Sequence, residues 1–99
     1  MKKTILIFLR HYLPGFQSGG PVRSVSYMVE ELSSVYDFRI ITSDRDYLAH
    51  TPYLNPDKGW QVVGGAQVLY LSPDEQTWVN ITRLAREVQA ELIYINSLF

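Results

Sequence analysis

The sequence predicts an α/β fold built on a parallel sheet, and three observations predict it. Short runs of Ile, Leu, Val and Phe alternate along the chain with segments whose apolar residues recur every three to four positions. The first run, Thr4 to Arg10, does not alternate polar with apolar, which suits a central strand covered on both faces. Turn residues bracket the helical segments, so strands and helices follow one another in β-α-β units. Such units join parallel strands through right-handed crossovers.

Each element has its own signal. After the strand Thr4 to Arg10, the breakers Pro14-Gly15 and Gly19-Gly20 mark a loop from His11 to Gly20. A helix is expected from Pro21, where a missing amide hydrogen costs nothing in the first turn. Its buried stripe is Val22, Val25, Met28, Val29, Leu32 and Val35. Asp37 to Ser43 reads as the second strand, centred on Ile40 and Ile41. Asp44 to Gly65 has no apolar period and carries Pro52, Pro56, Gly59, Gly64 and Gly65; a loop this long is usually functional or mobile. Ala66 to Leu71 is the third strand. Ser72-Pro73-Asp74-Glu75 then has the composition of a capping box, with Glu75 returning a bond to the Ser72 amide. It should open a second helix whose core stripe is Trp78, Ile81, Leu84, Ala85 and Val88. Leu92 to Asn96 is the fourth strand. A strand order of 3-2-1-4 follows, a Rossmann-like parallel sheet with flanking helices.

Composition narrows the function classes. The chain has 99 residues, enough for a single small domain, with 46% apolar and 19% charged residues, as in globular proteins. A net charge of -1 gives no general attraction to nucleic acid or to an anionic membrane. Without cysteine there is no disulfide framework, zinc knuckle or thiol nucleophile. Met1-Lys2-Lys3 followed by Ile5 to Leu9 superficially resembles a secretory leader, but a leader needs roughly 7–15 apolar residues before a break. The stretch reads as a buried strand, and the expected location is the cytoplasm. The fourth strand is followed by no helix, so one sheet face is expected to be thinly covered. That pattern reads as a partial domain over residues 1–99, and its exposed apolar surface should drive self-association.

Ligands of open α/β sheets bind beyond the carboxyl ends of the strands. The loop from His11 to Arg23 occupies that place. Gly19 and Gly20 let the backbone come close to a ligand, and the helix behind them aims free amides and its positive end at an anion. Arg23, in the first turn, could add a bidentate contact to phosphate or carboxylate. The same residues also serve as plain turn chemistry at a helix start, and local sequence leaves both readings open.

A strand, a loop ending in Pro14, Gly19, Gly20, Pro21, Val22 and Arg23, and an amphipathic helix carrying Met28, Val29 and Leu32 resemble the opening of family 4-like glycosyltransferases of the GT-B type. Ile41-Thr42-Ser43-Asp44-Arg45-Asp46, Trp60, Val68 to Ser72, and Ile95 to Phe99 extend the resemblance in order along the chain. The resemblance implies the N-terminal, acceptor-side part of a two-domain enzyme, with the donor-binding domain absent from these residues. It implies transfer of a sugar from a nucleotide-diphosphate donor to a glycan or lipid-linked acceptor in cell-surface polysaccharide synthesis. It implies no cofactor and no metal, and a cytoplasmic place with peripheral contact at the inner face of the membrane. Gly19, Gly20 and Arg23 would face the donor phosphates, and residues 1–99 alone would have no transferase activity.

Other residues have weaker assignments. His11, Asp44, Arg45, Asp46 and Asn96 are acceptor-side candidates, placed at strand ends on the same edge. The triplet Asp44-Arg45-Asp46 also fits a divalent-metal site of the other large glycosyltransferase fold, though a solvated loop fits it better. Asp44 as a ribose ligand would require G-x-G-x-x-G in a tight first turn, which is absent. Receiver-like signalling domains keep acids at the end of strand one, where this chain has Arg10 and His11. Tyr47, Tyr53 and Trp60 could wall an acceptor or pin the long loop. His50 receives no role, and Ser97 either meets a ligand beside Asn96 or merely finishes the strand. The alternative to an enzyme part is a self-standing, non-catalytic ligand-binding or regulatory subunit.

Overall fold

A computed structural model describes residues 2–13, 20–45 and 59–96. Five strands and two helices follow in the order β1 (Lys3–Phe8), α1 (Gly20–Leu32), β2 (Tyr36–Ser43), β3 (Trp60–Val63), β4 (Ala66–Leu71), α2 (Trp78–Val88) and β5 (Leu92–Ile95). The strands form one sheet in the order β3-β4-β2-β1-β5. Strands β1, β2, β4 and β5 run parallel. These four are the strands expected from the sequence, in the expected 3-2-1-4 order.

The sheet is mixed, which corrects the expectation of a purely parallel one. β3 lies antiparallel to β4 at the far edge, with Val63 opposite Ala66. Gly64 and Gly65 form the turn between them, and Gly64 takes φ 60°, the left-handed value that the first position of a tight hairpin turn requires. β3 was hidden within the aperiodic segment Asp44 to Gly65. It is only four residues long, and its one fully exposed position, Val62, is apolar, so no polar-apolar alternation marks it.

Alternation along the strands divides the core into two layers. Ile7, Phe38, Ile40 and Val68 pack on one face beneath Val22, Val25 and Val29 of α1. Leu6, Phe8, Ile41, Leu69 and Leu71 pack on the other beneath Ile81 and Leu84 of α2. Helix α1 ends at Leu32, short of the expected Val35, and both of these expected core residues are exposed, so the buried stripe stops at Val29.

Two expectations for α2 are corrected. The Ser72-to-Glu75 signal does not open it. The Ser72 amide donates to Glu75 Oε1 at 2.9 Å, but the box closes a separate 3-10 turn, Pro73–Glu75. Gln76 leaves helical geometry, and Thr77 caps α2 by accepting from the Asn80 amide at 3.2 Å. Trp78 is therefore the first helical residue and not a core one, at 62% exposed. A side chain leans towards its helix N-terminus, so from this position it projects past the layer formed by Ile81 and Leu84. At its other end α2 stops at Gln89, in left-handed geometry with φ 53°, whose amide donates to the Ala85 carbonyl. Among the described residues no helix is long and apolar enough to cross a membrane.

Candidate functional site

Parallel pairing brings the carboxyl ends of β1, β2, β4 and β5 to one edge of the sheet. The ladder continues beyond the strands. Ser43 N donates to the Arg10 carbonyl at 3.2 Å, Asp44 N to Leu71 at 2.9 Å, and Asn96 N to Phe8 at 3.0 Å. These bonds fix the backbone at Arg10, Asp44 and Asn96. The chain leaves β1 through α1 on one face and reaches β5 through α2 on the other. The boundary between β1 and β5 is therefore the topological switch point, where α/β sheets open a crevice for ligands.

Three predicted residues meet on the other side of β1, beyond the carboxyl ends of β1 and β2. His11 Nδ1 lies 3.2 Å from the Arg45 carbonyl oxygen. With the proton on Nδ1 the ring donates to that oxygen, and Nε2 of the neutral ring is then an acceptor. Arg45 Nε donates to Asp44 Oδ1 at 2.9 Å, and the Arg45 amide to Ser43 Oγ at 3.3 Å. Asp44 and Arg45 are thus a partly buried ion pair that balances its own charge. Sequence alone could not join His11 to Arg45, because the contact crosses from the β1 loop to the β2 loop.

Gly20 and Arg23 lie in the first turn of α1, both exposed. Among the described residues, a Cβ built on Gly20 would meet nothing within 4 Å. Asn96 is exposed beyond β5, with Nδ2 donating to the Tyr94 hydroxyl at 3.3 Å. Gly19, Asp46, His50, Tyr47, Tyr53 and Ser97 lie outside the described residues. Trp60 starts β3 and packs on the α2 layer, with the Arg39 guanidinium 5.3 Å from its ring centre. Among the described residues no three His, Asp or Glu side chains gather where they could hold a metal ion.

Two tyrosines that sequence reading passed over support this edge. Tyr12 is 1% exposed, just after β1. The Tyr70 hydroxyl, near the end of β4, donates to the Leu13 carbonyl at 2.6 Å and so ties down the start of the first loop. Burial pushes both phenols up to about 12, and for Tyr12 the neighbouring Tyr70 adds to the effect. Both remain neutral hydrogen-bonding groups across the physiological range. A tyrosine interrupting an aliphatic strand near its carboxyl end was the available signal.

Thr42 pairs with Tyr70 across β2 and β4, and its Oγ1 is buried without a hydrogen-bond partner among the described residues. An unsatisfied buried hydroxyl costs free energy that an apolar group of the same shape does not. Thr42→Val should therefore stabilise the chain by about 1 kcal/mol. Urea denaturation checks this, and a lowered midpoint would mean that the hydroxyl is satisfied in solution.

An apolar groove of about 350 Å³ runs beside α1, lined by Ile5, Val25, Met28, Leu92 and Tyr94 with Ser24 and Asn96 as polar members. It adjoins the switch point through Asn96. The chain matches no known protein-family model, no curated protein and no solved structure.

Proposed function

We propose that the chain is the acceptor-side α/β portion of a hexosyltransferase-like glycosyltransferase that moves a sugar from a nucleotide-diphosphate donor to a glycan or lipid-linked acceptor. The observation that carries the reading is the switch point. The carboxyl ends of β1 and β5 flank it, with His11 and Asn96 at those ends, and the loop that precedes α1 leaves from β1. An electrophile leaving with a diphosphate needs anion stabilisation, which backbone amides, a helix dipole and basic side chains supply. Gly20 and Arg23 are the described residues offered for that task, joined by Gly19. The ion pair Asp44–Arg45 and His11 are offered for the acceptor side, where their hydrogen-bonding groups would meet sugar hydroxyls. The resemblance assigns the catalytic glutamates and the basic phosphate clamp to a second domain, and it assigns the enzyme to the cytoplasmic face of the membrane without metal or other cofactor.

The test is enzymatic. Protein made from the whole reading frame should release nucleoside diphosphate from a nucleotide sugar only when acceptor is present, while residues 1–99 alone should transfer no sugar. Ligand binding without any release by the whole protein would favour a binding or regulatory subunit instead, and transfer by residues 1–99 alone would overturn the two-domain account.

A further inference from the structure

Strand β5 forms an edge of the sheet, and no described residue pairs with its outer side. Its four side chains are Leu92, Ile93, Tyr94 and Ile95, exposed by 58%, 47%, 44% and 56%. Natural edges are usually blunted by lysine, proline, a bulge or an inward charge. From Leu92 to Asn96 there is no charged residue and no proline. Among the described residues the edge is therefore open in its backbone and apolar in its side chains at the same residues.

Register decides what fits it. The Asn96 amide points at Phe8 of β1, and Tyr94 pairs with Ile7. Backbone groups alternate sides along a strand, so Leu92, Tyr94 and Asn96 spend theirs on β1, while Ile93 and Ile95 aim theirs outward. An incoming antiparallel strand must match outward residues with outward residues. A second β5 does so when Ile93 of one copy faces Ile95 of the other. Each such pair exchanges both its hydrogen bonds, and Tyr94 meets its own copy on the two-fold axis.

Side chains agree with this register. Ile93 and Ile95 share the face of Leu6 and Phe8, so the isoleucines of both copies form one apolar row there. On the opposite face the two Tyr94 rings meet, and Leu92 faces Asn96. No like charges are brought together, as a charged edge on a two-fold axis would require. The arrangement is closed, because each copy uses its single β5 edge once.

We propose that two copies of this chain associate through antiparallel β5–β5 pairing centred on Tyr94, making one continuous sheet. The proposal does not rest on the sugar-transfer reading; it is made of residues 1–99, in which β5 is an edge strand, and it is tested on those residues. Because the chain has no cysteine, single cysteines report the register cleanly. At the axis, a non-hydrogen-bonded pair places its Cα atoms roughly 4.5 Å apart, within disulfide reach. Tyr94→Cys should therefore oxidise to a covalent dimer, while Ile93→Cys, whose copies sit diagonally, should not. Sedimentation should show the unsubstituted chain as a dimer at micromolar concentration. Tyr94→Lys should make it a monomer with an unchanged circular dichroism spectrum, since the side chain is exposed. A monomeric unsubstituted chain up to millimolar concentration, or cross-linking through Ile93→Cys in preference to Tyr94→Cys, would overturn the pairing.

Discussion

Replacing Gly65 with alanine is expected to destabilise the chain by about 2–3 kcal/mol, within the range for overpacking a close contact. Gly65 follows Gly64 in the β3–β4 turn, and a Cβ there would lie 2.6 Å from both Cβ and Oγ of Ser33 and 3.4 Å from Val29 Cγ1. Rotating Ser33 moves Oγ but not Cβ, so a side-chain adjustment does not relieve the clash. The backbone of Ser33 is also held: its amide donates to Val29 at 2.9 Å, and its carbonyl accepts from Lys2 Nζ at 2.8 Å. Either the hairpin turn or the end of α1 must move. Removing the opposing atoms should restore tolerance. In a Ser33→Gly background, Gly65→Ala should cost about 1–2 kcal/mol less than in the original chain, the size of coupling expected for residues in contact. Urea denaturation of the four proteins in the cycle gives the coupling. Equal costs in both backgrounds would mean that the turn swings away freely and that the contact constrains nothing.

Gly20→Ala should separate fold from function. The fold gives no reason for glycine there: the position is exposed, helical, and open for 4 Å around an added Cβ. Alanine should leave stability unchanged or raise it by up to about 1 kcal/mol, since it has the better helix propensity. In the proposed site the same methyl stands between the first turn of α1 and a diphosphate. A methyl that holds the diphosphate off the amides of that turn forfeits donors aimed at developing charge, a loss that typically costs about 10²–10³-fold in turnover, and under the proposed reading Gly20→Ala in the whole protein should fall towards that range. Arg23→Ala, also exposed, should fall in the same direction with melting unchanged. Full activity in Gly20→Ala would remove Gly20 from the site and leave the Gly-Gly-Pro segment as turn chemistry.

The legible parts of this fold were those where burial and period coincide. The stripe Val22, Val25 and Val29 identified α1, and the uniformly apolar β1 announced a central strand. The βαβ rhythm and crossover handedness implied parallel strands, and their order matched the Rossmann-like expectation. What stayed hidden had local signals that tertiary structure overrode. β3 is too short to display a period. The capping box at Ser72 is real, but it closes a separate turn because Gln76 breaks the helix before Thr77 starts another. Trp78 has core spacing yet stands at the helix start, beyond what the sheet covers. In the candidate site, the strand ends were readable because each follows an apolar run. The link from His11 to Arg45 and the Tyr70 tether on Leu13 were not, since both join segments far apart in sequence.

Pairing of Ile5 with Leu92 joins opposite ends of the chain. β1 and β2 can associate once α1 has formed between them, but β1 acquires its other neighbour only after the residues through Ile95 are available. Closing so long a loop carries an entropic cost before any contact rewards it, and such pairings form late. During synthesis β1 therefore waits with one side unpaired until the β5 segment leaves the ribosome. That interval, when the apolar segment Ile5 to Leu9 still lacks its β5 neighbour, is when mispairing with other nascent strands competes with correct completion of the sheet.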